Sequence, residues 1–246
     1  MEQEYAITTR DLSMSYGTQE ALSCLNLTIK PGEIFGFLGH NGAGKTTTVS
    51  LLTTILRPTK GSATVNGFDT VKNEREVRKS LGYLPENVQF YENLTLYENL
   101  EYFGQLSGIK KPRGRIEEVL EILDFTTHTN QRLGGFSKGM RQRVGIAQAI
   151  LHQPAILFLD EPTSGLDPEG VIQLRELILK LNREFKMTIF MNTHLLAEAQ
   201  VLCTEIGILK RGELIYRASL KETFELIAYG ESLEDFYLKV DKRTKR

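Results

Sequence analysis

The chain is poor in cysteine, nearly neutral overall, and free of long apolar runs. Its 246 residues include two cysteines, Cys24 and Cys203. Two isolated thiols are too few for a disulfide framework or a zinc site. Their apolar neighbours make both expected core residues. A formal net charge of -1 supplies no general cationic field for nucleic acid. Only the end, Lys239 to Arg246, is basic, and it reads as a solvated end rather than a contact for nucleic acid or anionic lipid. No apolar stretch reaches the length that spans a bilayer. The start, Met1-Glu2-Gln3-Glu4, is acidic with no apolar h-region behind it, so no signal peptide is expected. Internal repeats and low-complexity segments are absent too. What is present is 41% hydrophobic and 25% charged, enough for a sizeable core in one large domain or a domain with an inserted lobe.

Against that plain background one stretch stands out: Gly39, His40, Asn41, Gly42, Ala43, Gly44, Lys45, Thr46 and Thr47. It fits the P-loop pattern G-x-x-x-x-G-K-[ST]. A loop that wraps a polyphosphate must bring backbone N–H groups close to it, and side chains obstruct that approach. A helix beginning at the loop adds its N-terminal partial charge and free N–H groups. Lys45 is expected to reach the β- and γ-phosphates of a nucleotide, and the Thr46 hydroxyl to bind Mg2+. The setting agrees. Ile34 to Leu38 is a short apolar run suited to a buried strand. Val49, Leu51, Leu52, Ile55 and Leu56 then recur at helical spacing.

The rest of the chain reads as an α/β domain. Tyr5–Thr9 and Leu25–Lys30 alternate like strands, with Tyr16-Gly17 in the loop between them. Strands are expected over 62–66 and 68–71, a helix over 74–80 and a strand over 81–84. Residues 85–135 carry no strong strand signal. Thr95 and Glu98 have capping-box spacing ahead of a helix ending near Leu106. Ile116, Val119, Leu120 and Leu123 mark one face of another. Ser137 can cap a helix running to about Leu151. Asp167-Pro168-Glu169 starts a further helix with an acid at the cap and proline in the first turn. A strand over 187–192, a helix over 194–203, and a hairpin about Arg211-Gly212 follow. Short helices over 219–228 and 232–239 close the chain.

A second chemical signal lies at Asp160-Glu161, where the continuous apolar run Ala155 to Leu159 ends. Such a run is the pattern of a central parallel strand. Ligands in open α/β sheets bind beyond the carboxyl ends of strands. Two adjacent carboxylates there call for a cation or proton. Mg2+ on the nucleotide meets that need for Asp160. Glu161 is placed to orient or deprotonate an attacking water.

With these residues in order, the chain resembles the nucleotide-binding subunit of an ATP-binding cassette (ABC) transporter over essentially its whole length. The resemblance rests on the P-loop, Phe136-Ser137-Lys138-Gly139-Met140 followed by Arg141-Gln142-Arg143, Ile156 to Glu161, Ser164 to Asp167, and Thr193-His194. It implies a RecA-like P-loop NTPase core with an N-terminal antiparallel β subdomain and an inserted helical lobe. The implied division is one domain over 1–246. Residues 1–84 and 152–218 form the core, 85–151 the lobe with the signature helix, and 219–246 a helical tail. Tyr16 matches the aromatic that stacks on adenine. Ser137, Lys138 and Gly139 occupy the signature motif, which binds the γ-phosphate of ATP held by the opposite subunit. Asp167 matches the loop that contacts the partner, and His194 the histidine that contacts the γ-phosphate.

Four positions depart from the family pattern. Phe136, Lys138 and Met140 change the usual signature, and Lys138 adds a positive charge beside the expected phosphate site. Glu86 falls where a glutamine usually touches Mg2+, and it lacks the amide donor. With the ending Leu233 to Leu238, these changes resemble the ABC-2 branch, mostly exporters with separate membrane subunits. The implied protein is an ATPase that binds ATP and Mg2+ and pairs with a second copy. It would drive an integral membrane permease from the cytoplasmic face, and no nucleic acid is expected. A soluble ABC-type ATPase of ribosomes or DNA usually carries two cassettes or a long coiled-coil insertion, and this chain has neither. A P-loop kinase would fit the P-loop but not the signature or the carboxylate pair.

Overall fold

The computed structural model describes residues 4–227 and 231–243. Residue 228 of the expected helix over 219–228, and Thr244 to Arg246 of the basic end, lie outside them. Two sheets organise the chain. The first is antiparallel, in the order β2-β1-β4-β5: β1 (Ile7–Tyr16), β2 (Gln19–Ile29), β4 (Lys60–Val65) and β5 (Phe68–Asp69). The second is β10-β9-β3-β8-β7-β6. Its members are β3 (Ile34–Leu38), β6 (Leu81–Leu84), β7 (Ile156–Asp160), β8 (Thr188–Thr193), β9 (Glu205–Lys210) and β10 (Glu213–Ser219). All neighbours in it run parallel except β10, which returns antiparallel on β9.

The three central strands β3, β8 and β7 are buried along their whole length. Their alternation divides two cores. Phe35, Phe37, Phe158 and Phe190 point to one face, with ring centroids 5.3 to 6.2 Å apart. There they meet the antiparallel sheet and α1 (Lys45–Leu52). Ile34, Leu38, Leu157, Leu159, Ile189 and Met191 point to the other face, toward the helical lobe. Burying each large side chain contributes about 2–3 kcal/mol relative to exposure. Gly36 belongs to that second face because a Cβ there would lie 2.6 Å from Cys203 Sγ.

The lobe contains α3 (Leu96–Leu106), α4 (Arg113–Ile122) and α5 (Lys138–Ile150). Thr95 and Glu98 form the reciprocal capping box, and the Ser137 hydroxyl accepts from Met140 N–H. Ile116, Val119, Leu120 and Leu123 are all buried. The remaining helices are α2 (Glu74–Ser80), α6 (Pro168–Phe185), α7 (Leu196–Leu202), α8 (Leu220–Leu226) and α9 (Leu233–Arg243). Arg175 on α6 makes a two-pronged pair with buried Glu198 on α7, at 2.9 and 2.6 Å.

Several local expectations need correcting. Cys24 is exposed, not buried. It takes φ 45° opposite Ser13, whose Oγ accepts from the Cys24 N–H at 2.9 Å, where the β1–β2 register shifts, so the bulge turns the thiol outward. The same bulge hides the true lengths of β1 and β2, which extend well past the short alternating segments. Tyr16 therefore ends β1 and pairs with Gln19 rather than sitting in a loop. Helix α1 stops at Leu52, because Thr54 turns left-handed and Ile55 and Leu56 both donate to the Ser50 carbonyl. Ile55 is 60% exposed. Asp167 occupies the N-cap of α6 but makes no side-chain cap bond. Its Oδ1 lies instead over Gly170, and Pro168 already removes one donor from that first turn.

Candidate functional site

Strand register brings the chemistry together. Leu38 pairs with Thr193, and Asp160 pairs with Asn192. The carboxyl ends of β3, β8 and β7 are therefore flush. The loop after β3, Glu161 and His194 emerge side by side from that edge, the place an open α/β sheet offers a ligand.

Two glycines shape the phosphate-binding loop. A Cβ on Gly39 would lie 2.5 Å from the Leu209 carbonyl oxygen. Gly44 caps α1 at φ 106°, with a would-be Cβ 2.5 Å from the Ala21 carbonyl oxygen. No side chain caps α1 and its first turn has no acid. Its free N–H groups thus face the loop and suit an anion. Lys45 is only 5% exposed and donates to the carbonyls of Gly39 at 2.6 Å and His40 at 3.2 Å. Burial lowers its pKa, against support from Glu161 and Asp160. An ammonium so desolvated gains from a polyphosphate beside it.

The two carboxylates part company. Asp160 Oδ1 accepts from Asn192 Nδ2 at 2.5 Å. Burial raises its pKa, the Asn192 bond opposes that, and Glu161 and Glu86 add repulsion. Glu161 takes φ 49°, a left-handed turn that sends its side chain the other way. Its Oε2 lies 2.9 Å from His194 Nδ1, 3.3 Å from Thr193 Oγ1 and 3.4 Å from His194 N.

A cleft of about 570 Å3 joins these groups. Tyr16, Asn41, Gly42, Gly44, Lys45, Thr46, Thr47, Glu86, Asp160, Glu161 and His194 line it. Gly39, His40 and Ala43 complete the loop from behind the lining. Tyr16 is half exposed and presents a ring at the rim. Gln19, Ala21 and Asn192 also line the cleft and were not anticipated. The first two follow from the unexpected length of β2. A buried polar residue at the end of the apolar strand β8 was the available signal for Asn192.

Ser137, Lys138, Gly139 and Asp167 do not line this cleft. They gather elsewhere: Lys138 Nζ lies against Gly165, and Gly139 against Gly170. Thr46, Asp160 and Glu86 offer only oxygen donors, and the Asn192 Oδ1 beside Asp160 is buried with no hydrogen-bond partner. Among the described residues no group of three or more His, Cys, Asp or Glu forms a metal cage. An oxygen set that leaves room for phosphate ligands fits Mg2+, which is rarely held by protein alone.

Fold and cleft define a P-loop nucleotide-binding domain of the NTPase class. The family model for the ABC transporter matches residues 22–164. The bacitracin transport ATP-binding protein BcrA of Bacillus licheniformis is 44% identical over 209 residues, covering 85% of this chain and 68% of its own length. The ABC transporter ATP-binding protein NatA of Bacillus subtilis is 42% identical over 226 residues, covering 89% and 92%. A solved ATP-binding subunit of an ABC transporter superposes with TM-score 0.83 at 29% identity, over 96% of this chain and 99% of that one. A dimeric ATP-binding cassette in a post-hydrolysis state, bound to ADP and Pi, superposes with TM-score 0.77 at 27% identity, over 87% and 98%. The chain belongs to the ABC transporter family as an ATP-binding subunit, and it is an ATPase.

The raised pKa of Asp160 has a consequence for stability. Its folded value lies above its unfolded value. Its contribution is therefore fully present at acid pH and is lost as pH rises through the folded value. Asp160→Asn removes that loss. We expect this variant to shift the urea midpoint upward at pH 7 without nucleotide, while ATP hydrolysis assayed with Mg2+ present falls by at least about 100-fold. A lowered midpoint would show that the carboxylate is not under strain there.

Proposed function

We propose that the chain is the motor subunit of a transporter: two copies close on ATP, hydrolyse it and drive a separate integral membrane permease, in an exporter. The observation that carries this reading is the division of the chemistry. Loop, Lys45, Asp160, Glu161 and His194 share one open cleft. The signature residues Ser137, Lys138 and Gly139 gather with the Asp167 loop outside it. Each copy thus supplies half of two sites. Thr46 and Asp160, with Glu86 at the rim, would hold Mg2+, which neutralises phosphate charge. Tyr16 would stack on the base, and Glu161, held by His194, would take the proton of the attacking water. Residues 85–151, a helical lobe whose apolar side chains join the core on one face of the parallel sheet, would bring the signature to the partner's ATP. Loss of the γ-phosphate bridge would let the pair open. The dimeric relative bound to ADP and Pi supports the pairing, and the relative named for bacitracin transport supports a transport role. Likeness to the ABC-2 branch supports export. Among the described residues no helix is long and apolar enough to cross a membrane, and the reading assigns the membrane path to the permease, with this chain on the cytoplasmic face.

Purification of the tagged chain from detergent-solubilised membranes tests this reading. It expects an integral membrane protein to copurify, and phosphate release from Mg2+ and ATP with no phosphoryl acceptor. Ribosomes or DNA in place of a membrane protein would overturn the transporter reading. The stretch from Glu86 to Glu98 is the proposed permease contact. Buried Asn99 pins it by exchanging hydrogen bonds with the Tyr91 backbone at 3.0 Å each. That leaves Tyr91 half exposed, with its ring 5.1 Å from that of Tyr102. Exposed aromatics of this kind anchor interfaces. Tyr91→Ala is expected to lower permease-coupled transport by about 10-fold or more, with basal ATPase within about two-fold. Unchanged transport would remove this stretch from the interface.

A further inference from the structure

Glu161 and His194 meet at the sheet edge, but each leads into a different helix. Glu161 leads by a tight turn into α6: its carbonyl accepts from Ser164 N–H at 3.1 Å, and that of Asp167 from Val171 N–H at 3.0 Å. His194 leads directly into α7. Leu195 N–H donates to Thr193 Oγ1 at 3.0 Å, and the Leu195 carbonyl accepts from Glu198 N–H at 3.1 Å. Leu195 makes no side-chain cap bond, and α7 has only seven residues. A helix that short does not hold itself together in water. The His194 side chain is 46% exposed, so packing does not fix it. Its place follows from Glu161 Oε2, 2.9 Å from its Nδ1, and from the course of the backbone into α7.

One ion pair ties the two helices together. Arg175 lies about two turns into α6, and Glu198 about one turn past His194. Arg175 Nε donates to Glu198 Oε2 at 2.9 Å, and a terminal guanidinium nitrogen donates to Oε1 at 2.6 Å. Glu198 is 6% exposed. Burying a carboxylate is costly, and a buried pair adds little net stability over a well-packed apolar contact. What the fork supplies is direction, because two parallel N–H···O bonds admit one setting of guanidinium against carboxylate. The apolar contacts of Ala199 and Leu202, both buried in the core, carry no such direction.

We propose that Arg175 and Glu198 are a positioning pair for hydrolysis, fixing α7 against α6 so that His194 stays at Glu161. This rests on the reading of Glu161 and His194 as the hydrolytic pair. Neither Arg175 nor Glu198 lines the cleft, so the loss on breaking the fork falls on the chemical step and not on nucleotide binding.

Glu198→Gln keeps the shape and removes the charge. With sites counted by binding of the analogue AMP-PNP, kcat per site is expected to fall about ten-fold or more, with Kd for AMP-PNP within about two-fold. Arg175→Lys keeps the charge but not the fork, and is expected to show the same split. A pair that only stabilised the fold would lower the melting temperature and leave kcat per site at the parental value. That result, or a loss confined to Kd, would overturn the inference. Single-turnover phosphate release then asks whether the pair acts through His194. Added to His194→Ala, Glu198→Gln should cost about two-fold or less, because residues that act through one another do not add. A further loss of about ten-fold would overturn the inference. Parental kcat in His194→Ala would instead overturn the reading of the hydrolytic pair on which it rests.

Discussion

Glu161→Gln should bind ATP as the parent does, hydrolyse it about 100- to 10,000-fold more slowly, and persist as a dimer in ATP. The rate range is that of a lost general base. The amide is nearly isosteric, so the left-handed turn at Glu161 and the backbone bond from its N–H to the Asn192 carbonyl at 2.9 Å remain. Its oxygen can still accept from Thr193 Oγ1 and from His194. What disappears is the basic carboxylate. Binding should be spared because Glu161 Oε2 is engaged by β8 and its following residue, whereas the loop and Lys45 are the proposed phosphate cradle. On the proposed split site the dimer should persist, because ATP would bridge a P-loop and a signature and only hydrolysis would sever that bridge. Light scattering at saturating Mg2+ and ATP reads the mass, and phosphate release reads the rate. A monomer under those conditions would sink the split site. Hydrolysis within a few-fold of the parent would sink Glu161 as the base.

Much of the site was legible because its residues sit where local and global demands coincide. The apolar run to Leu159 had to be a central strand, so Asp160 and Glu161 had to emerge at a sheet edge. Gly39 and Gly44 are placed where the backbone leaves no room for a Cβ, and the motif spacing registers that constraint. Cys24 and the lengths of β1 and β2 were not legible. A bulge inserts a residue and breaks period-two alternation, so a long hairpin reads as two short strands. Gln19 and Ala21 went unseen for the same reason. The end of α1 was not legible because Ile55 and Leu56 keep helical spacing while the backbone turns left-handed at Thr54 and ends the helix. The fork from Arg175 to Glu198 joins two separate helices, and nothing in either segment alone names the other.

Lys45→Ala should lower affinity for ATP by at least about 100-fold, the loss expected when two charge-assisted hydrogen bonds to phosphate go. The structure separates this from unfolding. Lys45 is held by the Gly39 and His40 carbonyls and supported by Asp160 and Glu161, yet burial opposes its charge. Removing it frees two carbonyls and leaves two acids without their cation, but it also removes a costly desolvated ammonium. Those effects oppose one another, so the melting temperature without nucleotide should move little compared with the affinity. Lys45→Arg should fail to restore binding. The site leaves Lys45 only 5% exposed, and a planar guanidinium cannot follow the path of a slender ammonium between those carbonyls. Titration of a fluorescent ATP analogue into all three proteins checks this, with melting run in parallel. Parental affinity in Lys45→Ala would remove the loop from the binding site. Full rescue by Lys45→Arg would show that charge alone, and not the fit of the ammonium between Gly39 and His40, sets the affinity.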